Sequence, residues 1–132
     1  MVLGLDKSGK TSILKCIAGE DIEKVVPTFG FNIRNYEMEK TILNIWDIGG
    51  EIGLRPYWNT YCDEAHGCIF VIDSSDPDRL DESAVELMNI LDEDVLLDKP
   101  LLILTTKCDK KGSMTFQEVC AGVHHRSATD FV

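Results

Sequence analysis

The sequence lacks several features that would each assign it to a particular class of protein. No apolar run approaches the roughly 20 residues that a membrane-spanning helix requires. The chain opens without a signal-peptide pattern, and Val2 stands where the N-myristoylation pattern has glycine. We therefore expect a cytoplasmic protein with no direct membrane anchor in this chain.

The sequence also lacks a cysteine pattern typical of disulfides or zinc sites, and it lacks a net positive charge. The five cysteines are odd in number and form no C-x-x-C pair, which fits neither a disulfide framework nor a zinc site, so we expect reduced thiols. The formal net charge is −10, and we therefore expect no nucleic-acid partner. Between Asp76 and Asp98 the only basic residue is Arg79. This stretch is interpreted as a solvated helix face, with an acidic docking surface as the alternative.

Residues 4–11 read G-x-x-x-x-G-K-T, the pattern of a phosphate-binding loop, between a short apolar run and a helical pattern. Its glycines allow consecutive backbone N–H groups to face an anion, and the helix adds the positive end of its dipole. We predict that Lys10 reaches the β- and γ-phosphates and that the Thr11 hydroxyl lies on Mg²⁺. The alternative is a Gly/Ser turn with a solvated lysine. The predicted phosphate-binding residues are Gly4, Leu5, Asp6, Lys7, Ser8, Gly9, Lys10 and Thr11.

Strand-like and helical segments alternate along the rest of the chain. Helices are predicted over about 10–19, 77–97 and 115–122, and strands over 31–37, 41–46, 67–73 and 101–105, with an irregular loop through 55–61. The first two of these strands are close enough to form a hairpin. The alternation predicts an α/β fold with a doubly wound, mostly parallel sheet.

Three residues after the phosphate loop suit the magnesium and the γ-phosphate of a nucleotide. Asp47, at a strand end, is placed to hold Mg²⁺, usually through water. Gly50 can offer its backbone N–H to the γ-phosphate because it has no side chain. Thr28, in a loop, can bring its hydroxyl to the same ion and so report that phosphate. Each signal alone is equally a strand-ending turn or a plain loop.

The segment Thr106-Lys107-Cys108-Asp109 follows a buried strand and predicts the choice of base. A carboxylate at Asp109 can accept hydrogen bonds from both N1–H and the amino group of guanine, a donor pair that adenine lacks. Lys107 can lay its methylene groups over the ring. Alone, this segment is also readable as a charged turn. In order, and at strand ends where such sheets bind ligands, the signals predict GTP rather than ATP.

These motifs together resemble those of the Arf and Arf-like small GTPases over roughly residues 1–122. Within that family, segments 19–22 and 44–46 most resemble the Arf-like branch that handles lipidated cargo and a tubulin-folding cofactor. The motifs that carry the resemblance are Gly-Leu-Asp-x-x-Gly-Lys-Thr (4–11), Pro-Thr-x-Gly-Phe-Asn (27–32), Trp-Asp-Ile-Gly-Gly (46–50), Arg-Pro-Tyr-Trp (55–58), Phe-Val-Ile-Asp-Ser (70–74) and Glu86-Leu87.

The resemblance implies a three-layer P-loop NTPase fold that binds GTP or GDP with Mg²⁺, and it adds Ser12 to the phosphate-binding residues. It also implies two switch segments, 20–32 and 48–62, joined by strands 31–37 and 41–47. Phe31, Trp46 and Tyr61 match the aromatic triad that the family offers to effector proteins. An exchange factor and a GTPase activator are implied as further partners.

The chain departs from the family pattern at two site positions. Glu51 replaces the glutamine that orients the attacking water; a carboxylate can only accept hydrogen bonds, and its charge is repelled by the γ-phosphate, so we expect slow GTP hydrolysis. Two alternatives are Glu51 acting as a base, and Glu51 turned into solvent. Thr106 replaces the usual asparagine, for which we expect weaker tethering and retained guanine specificity.

The matched region also starts inside the first strand, and no last strand or last helix is recognisable near its other end. We therefore expect a partial domain over 1–122, incomplete at the first strand and lacking the last strand and helix, with a divergent tail over 123–132. The leading hypothesis is a GTP/GDP switch with slow intrinsic hydrolysis. The alternative is a non-catalytic or destabilised variant that acts as a protein-interaction module.

We expect this domain to have low stability, because a short central strand leaves its neighbours without backbone partners. In a calorimetric melt of the purified chain, unfolding should occur below about 45 °C, the lower end of the range for mesophile domains. A cooperative transition above that temperature would contradict the expectation.

Overall fold

The computed structural model describes residues 1–92 and 94–129, and for residues 125–129 only the path of the backbone. Five strands form one sheet in the order β2-β3-β1-β4-β5. Strands β3, β1, β4 and β5 run parallel, and β2 pairs antiparallel with β3. This arrangement confirms the predicted mostly parallel sheet and its hairpin. The strands are β1 (Val2–Leu3), β2 (Phe31–Met38), β3 (Thr41–Ile48), β4 (Cys68–Asp73) and β5 (Leu101–Thr106).

Four α-helices are present among the described residues: α1 (Lys10–Ile17), α2 (Trp58–Glu64), α3 (Leu80–Asp92) and α4 (Phe116–Thr129). The prediction of an irregular loop through 55–61 is wrong, since a 3₁₀ turn over Arg55–Tyr57 leads into α2. The single helix predicted over 77–97 is wrong as well, because 3₁₀ turns at Pro77–Arg79 and Asp94–Leu96 flank the shorter α3. No helix in the described ranges is both long and apolar enough to cross a membrane.

Helix α4 continues beyond the end at about residue 122 that the sequence indicated. Its hydrophobic pattern weakens near that point, which is why the sequence alone predicted a tail. The division of the chain into 1–122 and 123–132 stays a prediction.

The side chains of β4 explain the three layers. Successive residues of a strand point to opposite faces of the sheet. Phe70 and Ile72 pack on one face with α2, α3 and α4, whereas Val71 packs on the other with Leu14 of α1. Both clusters are fully buried, so the sheet is covered by helices on each side at this position.

The short strand β1 determines how far its neighbours are paired. It is paired with β3 only at Val2, opposite Asp47, and with β4 at Val2 and Leu3. The remainder of β3 is paired with β2 alone, as the short first strand predicts. The carboxyl ends of β1, β3, β4 and β5 nevertheless meet at one edge of the sheet, and the loops that follow them form the candidate site.

Candidate functional site

A cavity of about 360 Å³ opens at this edge of the sheet, within the range of about 300–1,000 Å³ that is typical of small-molecule sites. It brings together segments that are far apart in the chain. The predicted site residues that line it are Asp6, Lys7, Gly9, Lys10, Thr11, Ser12, Thr28, Gly50, Glu51 and Lys107. The predicted residues outside its lining are Gly4, Leu5, Ser8, Asp47, Thr106 and Asp109. Its walls also include Val25, Val26, Pro27 and Phe29, which sequence reasoning did not assign to the site.

The phosphate loop has the tight backbone that its glycines allow. At Gly4, with φ of 136°, a Cβ atom would lie 2.2 Å from the Val71 carbonyl oxygen, so no other residue fits without displacing β4. Gly9 precedes α1 with φ of 95° and no side chain caps the helix. The first N–H groups of α1 therefore lack an intrahelical acceptor and face the cavity end, an arrangement suited to an anion.

The Lys10 ammonium lies beneath this loop. Its Nζ donates to the backbone oxygens of Gly4 and Leu5 at 2.7 and 2.8 Å, and the side chain is 5% exposed. Desolvation lowers the pKa of Lys10 to about 8, although the charges of Asp47 and Asp6 act in the opposite direction. A ligand with several negative charges would relieve this penalty.

Three side chains whose oxygen atoms could bind a metal ion come from separate segments and meet beside Lys10. The Thr11 hydroxyl donates to Asp47 Oδ2 at 2.6 Å and lies 2.8 Å from the Thr28 hydroxyl. Asp47 is fully buried, and its Oδ1 has no hydrogen-bond partner in the described part of the chain. Burial raises the pKa of Asp47, and the hydrogen bond from Thr11 and the charge of Lys10 offset this only partly.

This donor set fits a hard divalent cation. Mg²⁺ prefers oxygen ligands and commonly uses one or two carboxylates together with waters and phosphates. Asp47 has an unpartnered buried oxygen for such an ion, and Thr11 and Thr28 supply neutral hydroxyls beside it. No cluster of three or more His, Cys, Asp or Glu side chains occurs among the described residues, so a closed all-protein metal centre is not indicated there.

Gly50 packs directly against the phosphate loop. A Cβ atom at this position would lie 2.2–2.3 Å from the backbone of residues 4–6, and the Asp6 N–H donates to the Gly50 oxygen at 3.1 Å. Glu51 follows on the cavity wall, half-buried. Among the side chains that the structure describes, none forms a hydrogen bond or an ion pair with its carboxylate.

The segment 106–109 is tied to the phosphate loop by two side chains. The Thr106 hydroxyl donates to the Ser8 oxygen at 2.6 Å, and Lys107 Nζ donates to the Lys7 oxygen at 2.7 Å and pairs with Asp73. Lys107 lines the cavity, whereas Asp109 is exposed and outside the lining. The assignment of Asp109 to base recognition stays a prediction.

Two arginines that sequence reasoning did not assign to the site support the loop from outside. Arg79 donates to Asp6 Oδ1 at 2.7 Å and pairs with Glu82, and Arg55 pairs with Glu82 and Glu86 at 2.8 and 3.0 Å. Partial burial raises the pKa of Asp6, but the hydrogen bond and charge of Arg79 outweigh it and hold that pKa below its ordinary value. The Asp6 carboxylate is therefore engaged in an ion pair with Arg79, and the backbone of Asp6 is the part available to a ligand.

These ion pairs also correct the interpretation of the acidic stretch. Glu82 and Glu86 were expected on a solvated face of one helix, but they are engaged by arginines that contact the phosphate loop and the segment after β3. Hydrogen bonds from Arg79, with Arg55 contributing, lower the pKa of Glu82 to about 2. The signal in the sequence was the Arg-Pro-Tyr-Trp segment, whose arginine lies five positions after Gly50 of the Gly-Gly turn.

The three aromatic side chains of the predicted triad lie together. Phe31 of β2 stacks on Trp46 of β3 with ring centroids 5.6 Å apart, and Tyr61 of α2 lies 5.7 and 5.8 Å from the two. Phe31 is 46% exposed, and the other two are partly buried against the core. The cluster thus presents an aromatic surface where the hairpin meets α2.

Comparisons with known proteins show the family of this chain. The model of the ADP-ribosylation factor family matches residues 1–130. The chain is 43% identical over 130 residues to ADP-ribosylation factor-like protein 3 of Chlamydomonas reinhardtii, covering 98% of this chain and 73% of that protein. It is 45% identical over 119 residues to ADP-ribosylation factor-like protein 2 of Arabidopsis thaliana, covering 90% of this chain and 64% of that protein.

A solved structure shares the fold. The Arl6 BBS3 small GTPase from Trypanosoma brucei, determined with the bound nucleotide analogue GppNp, aligns with a TM-score of 0.83 at 30% identity, covering 96% of this chain and 77% of that one. The predicted small-GTPase fold and the predicted resemblance are therefore confirmed. The chain belongs to the ADP-ribosylation factor family, as an Arf-like small GTP-binding protein.

Proposed function

We propose that this chain is a guanine-nucleotide switch that binds GTP or GDP together with Mg²⁺. The observation that supports this most directly is the meeting of Thr11, Thr28 and Asp47 beneath a cavity that Gly50 also lines. These residues come from the phosphate loop and from the two segments that would differ between nucleotide states. A site assembled in this way can sense whether a γ-phosphate is present.

The chain's own groups would divide the work of binding. The free N–H groups at the start of α1 and the Lys10 ammonium would hold the phosphates. Thr11, Thr28 and Asp47 would hold Mg²⁺, which supplies charge neutralisation between the β- and γ-phosphates. Asp109 would accept hydrogen bonds from guanine, with the Lys107 stem against the ring. Thr106 and Lys107 would keep that base-binding segment in register with the phosphate loop through their bonds to residues 7 and 8.

Hydrolysis by this chain is proposed to be slow. Glu51 lies on the cavity wall with Gly50 and Thr28, where a γ-phosphate would place its negative charge. Two like charges about 4 Å apart repel by about 4 kcal/mol at an effective dielectric near 20. A carboxylate also lacks the N–H that a glutamine can direct at the transition state. Faster turnover would then require an activator, which commonly supplies an arginine.

Effector proteins are proposed to bind the aromatic cluster of Phe31, Trp46 and Tyr61. The cluster lies between β2, β3 and α2, so a rearrangement of the segments around the cavity would change its surface. Exposed aromatic side chains of this kind often dominate binding energy at interfaces. The five cysteines are all free, which is consistent with the proposed cytoplasmic location.

The first prediction concerns the choice of base. Asp109→Ala should abolish the preference for mant-GTP over mant-ATP, because each hydrogen bond to a charged group contributes about 1.5–3 kcal/mol. Fluorescence titration with Mg²⁺ and with EDTA measures both the preference and its dependence on the cation. Asp92→Ala, an exposed aspartate at the end of α3, is the matched control. Intact guanine preference in Asp109→Ala, or none in the parent protein, would overturn the assignment.

The second prediction concerns the proton uptake that accompanies GDP binding. Since burial lowers the pKa of Lys10 to about 8 in the free protein and bound phosphates would raise it, GDP binding at pH 8.5 should take up a substantial fraction of a proton. The affinity for GDP should accordingly fall as the pH rises through 8. Calorimetric titration in two buffers of different ionisation enthalpy measures the uptake, and at pH 7 it should be close to zero. Equal uptake at the two pH values would contradict the buried-lysine account.

The third prediction concerns hydrolysis. Glu51→Gln should accelerate single-turnover GTP hydrolysis about tenfold or more, because removing 1.4 kcal/mol from a barrier already gives a factor of ten. Glu51→Asp keeps the charge and should stay as slow as the parent protein. The comparison is made on preloaded protein, so that a change in affinity does not enter the rate. If the glutamine variant hydrolyses no faster, the repulsion argument is wrong.

A further inference from the structure

We propose that Trp58 and Arg55 are positioning residues that fix the two peptide groups around Gly50 and so aim its N–H at the γ-phosphate. This inference rests on the proposed function of the cavity. It assigns a role to the Arg-Pro-Tyr-Trp segment, which lies outside the cavity lining.

Trp58 restrains the first of the two, the peptide group between Gly49 and Gly50. Its indole Nε1 donates to the Gly49 oxygen at 3.1 Å, and the side chain is 1% exposed. In a trans peptide the C=O of one residue and the N–H of the next point in opposite directions within one plane. No cis peptide occurs among the described residues, so a Gly49 carbonyl turned to the buried indole directs the Gly50 N–H away from the core.

The Gly50 N–H is available for a ligand. Gly50 lines the cavity together with Lys10 and Thr28, the residues proposed to contact phosphate and cation. Within the described ranges, this N–H donates no hydrogen bond to the protein. A backbone donor that faces a cavity without a partner is suited to an anionic oxygen.

Arg55 restrains the second, the peptide group between Gly50 and Glu51. Its Nε donates to the Gly50 oxygen at 2.9 Å, which also accepts from the Asp6 N–H. The guanidinium is itself fixed, since it pairs with Glu82 and Glu86 and its side chain is 6% exposed. Helix α3 therefore anchors the arginine, and the arginine anchors the carbonyl that follows the Gly50 N–H.

External restraint is needed because two consecutive glycines are the most flexible backbone that a chain can have. Without the indole and guanidinium donors, the peptide planes on both sides of Gly50 would rotate more freely. Ordering the N–H would then cost entropy when the γ-phosphate binds. That cost applies to GTP and not to GDP, which has no γ-phosphate.

The test compares the affinities for GppNp and GDP in three variants. Trp58→Phe keeps an aromatic ring in the core but removes the donor, and Arg55→Lys keeps the charge but removes the separate Nε donor that bonds the Gly50 oxygen. Each should lower the GppNp-to-GDP affinity ratio, by about threefold to tenfold for Trp58→Phe and about tenfold or more for Arg55→Lys. Affinities are measured by displacement of mant-GDP at fixed Mg²⁺ concentration.

Phe70→Leu is the control for a purely structural effect. Phe70 is fully buried with its ring edge-on to Trp58, centroids 6.3 Å apart, and it has no hydrogen-bond donor. It should lower the melting temperature and leave the affinity ratio unchanged. If Trp58→Phe and Arg55→Lys weaken both nucleotides equally, the positioning role is wrong while the proposed function stands. If the parent protein binds neither nucleotide, the proposed function and this inference fail together.

Discussion

The site depends on the direct packing of the Gly50 backbone against the phosphate loop. There is no room for a Cβ atom between them, and the Asp6 N–H bonds to the Gly50 oxygen. Backbone-to-backbone contact at this distance cannot be absorbed by a side-chain rotation. A displacement of the segment after β3 must therefore break the contact or move the loop, which couples ligand binding to the position of that segment.

Buried charge is the main electrostatic feature beside the cavity. Lys10 and Asp47 are both almost fully buried, and burial shifts both pKa values toward neutrality, downward for Lys10 and upward for Asp47. Their mutual attraction reduces these shifts without cancelling them, so desolvation is the larger effect. A polyphosphate beside the lysine and a divalent cation beside the aspartate would each supply a missing counter-charge. Perturbed groups at a cleft are candidates for a functional role, and the proposed function uses both of these.

Sequence reasoning succeeded where the signal is local. The loop 4–11, the strand ends at Asp47 and Lys107 and the hairpin follow from short motifs and from periodicity, and the structure has the predicted strands. It failed for α2 and for the limits of α3 and α4, where packing decides over pattern. The support from Arg55 to Glu82 and from Arg79 to Asp6 joins residues 27 and 73 positions apart. Pairs at such separations follow from the tertiary fold alone.

Asp109, the residue proposed to recognise the base, is connected to the phosphate loop through the segment that carries it. Its exposed carboxylate is not bonded to the phosphate loop, yet its neighbours are, through Thr106 to Ser8 and Lys107 to Lys7. Threonine offers one donor where asparagine offers two, so more of this connection depends on the lysine. Lys107 is in turn held by Asp73 at the end of β4. In the proposed function, base recognition would therefore be linked to phosphate binding through the ends of β1, β4 and β5, and a ligand that contacts both loops would strengthen this link.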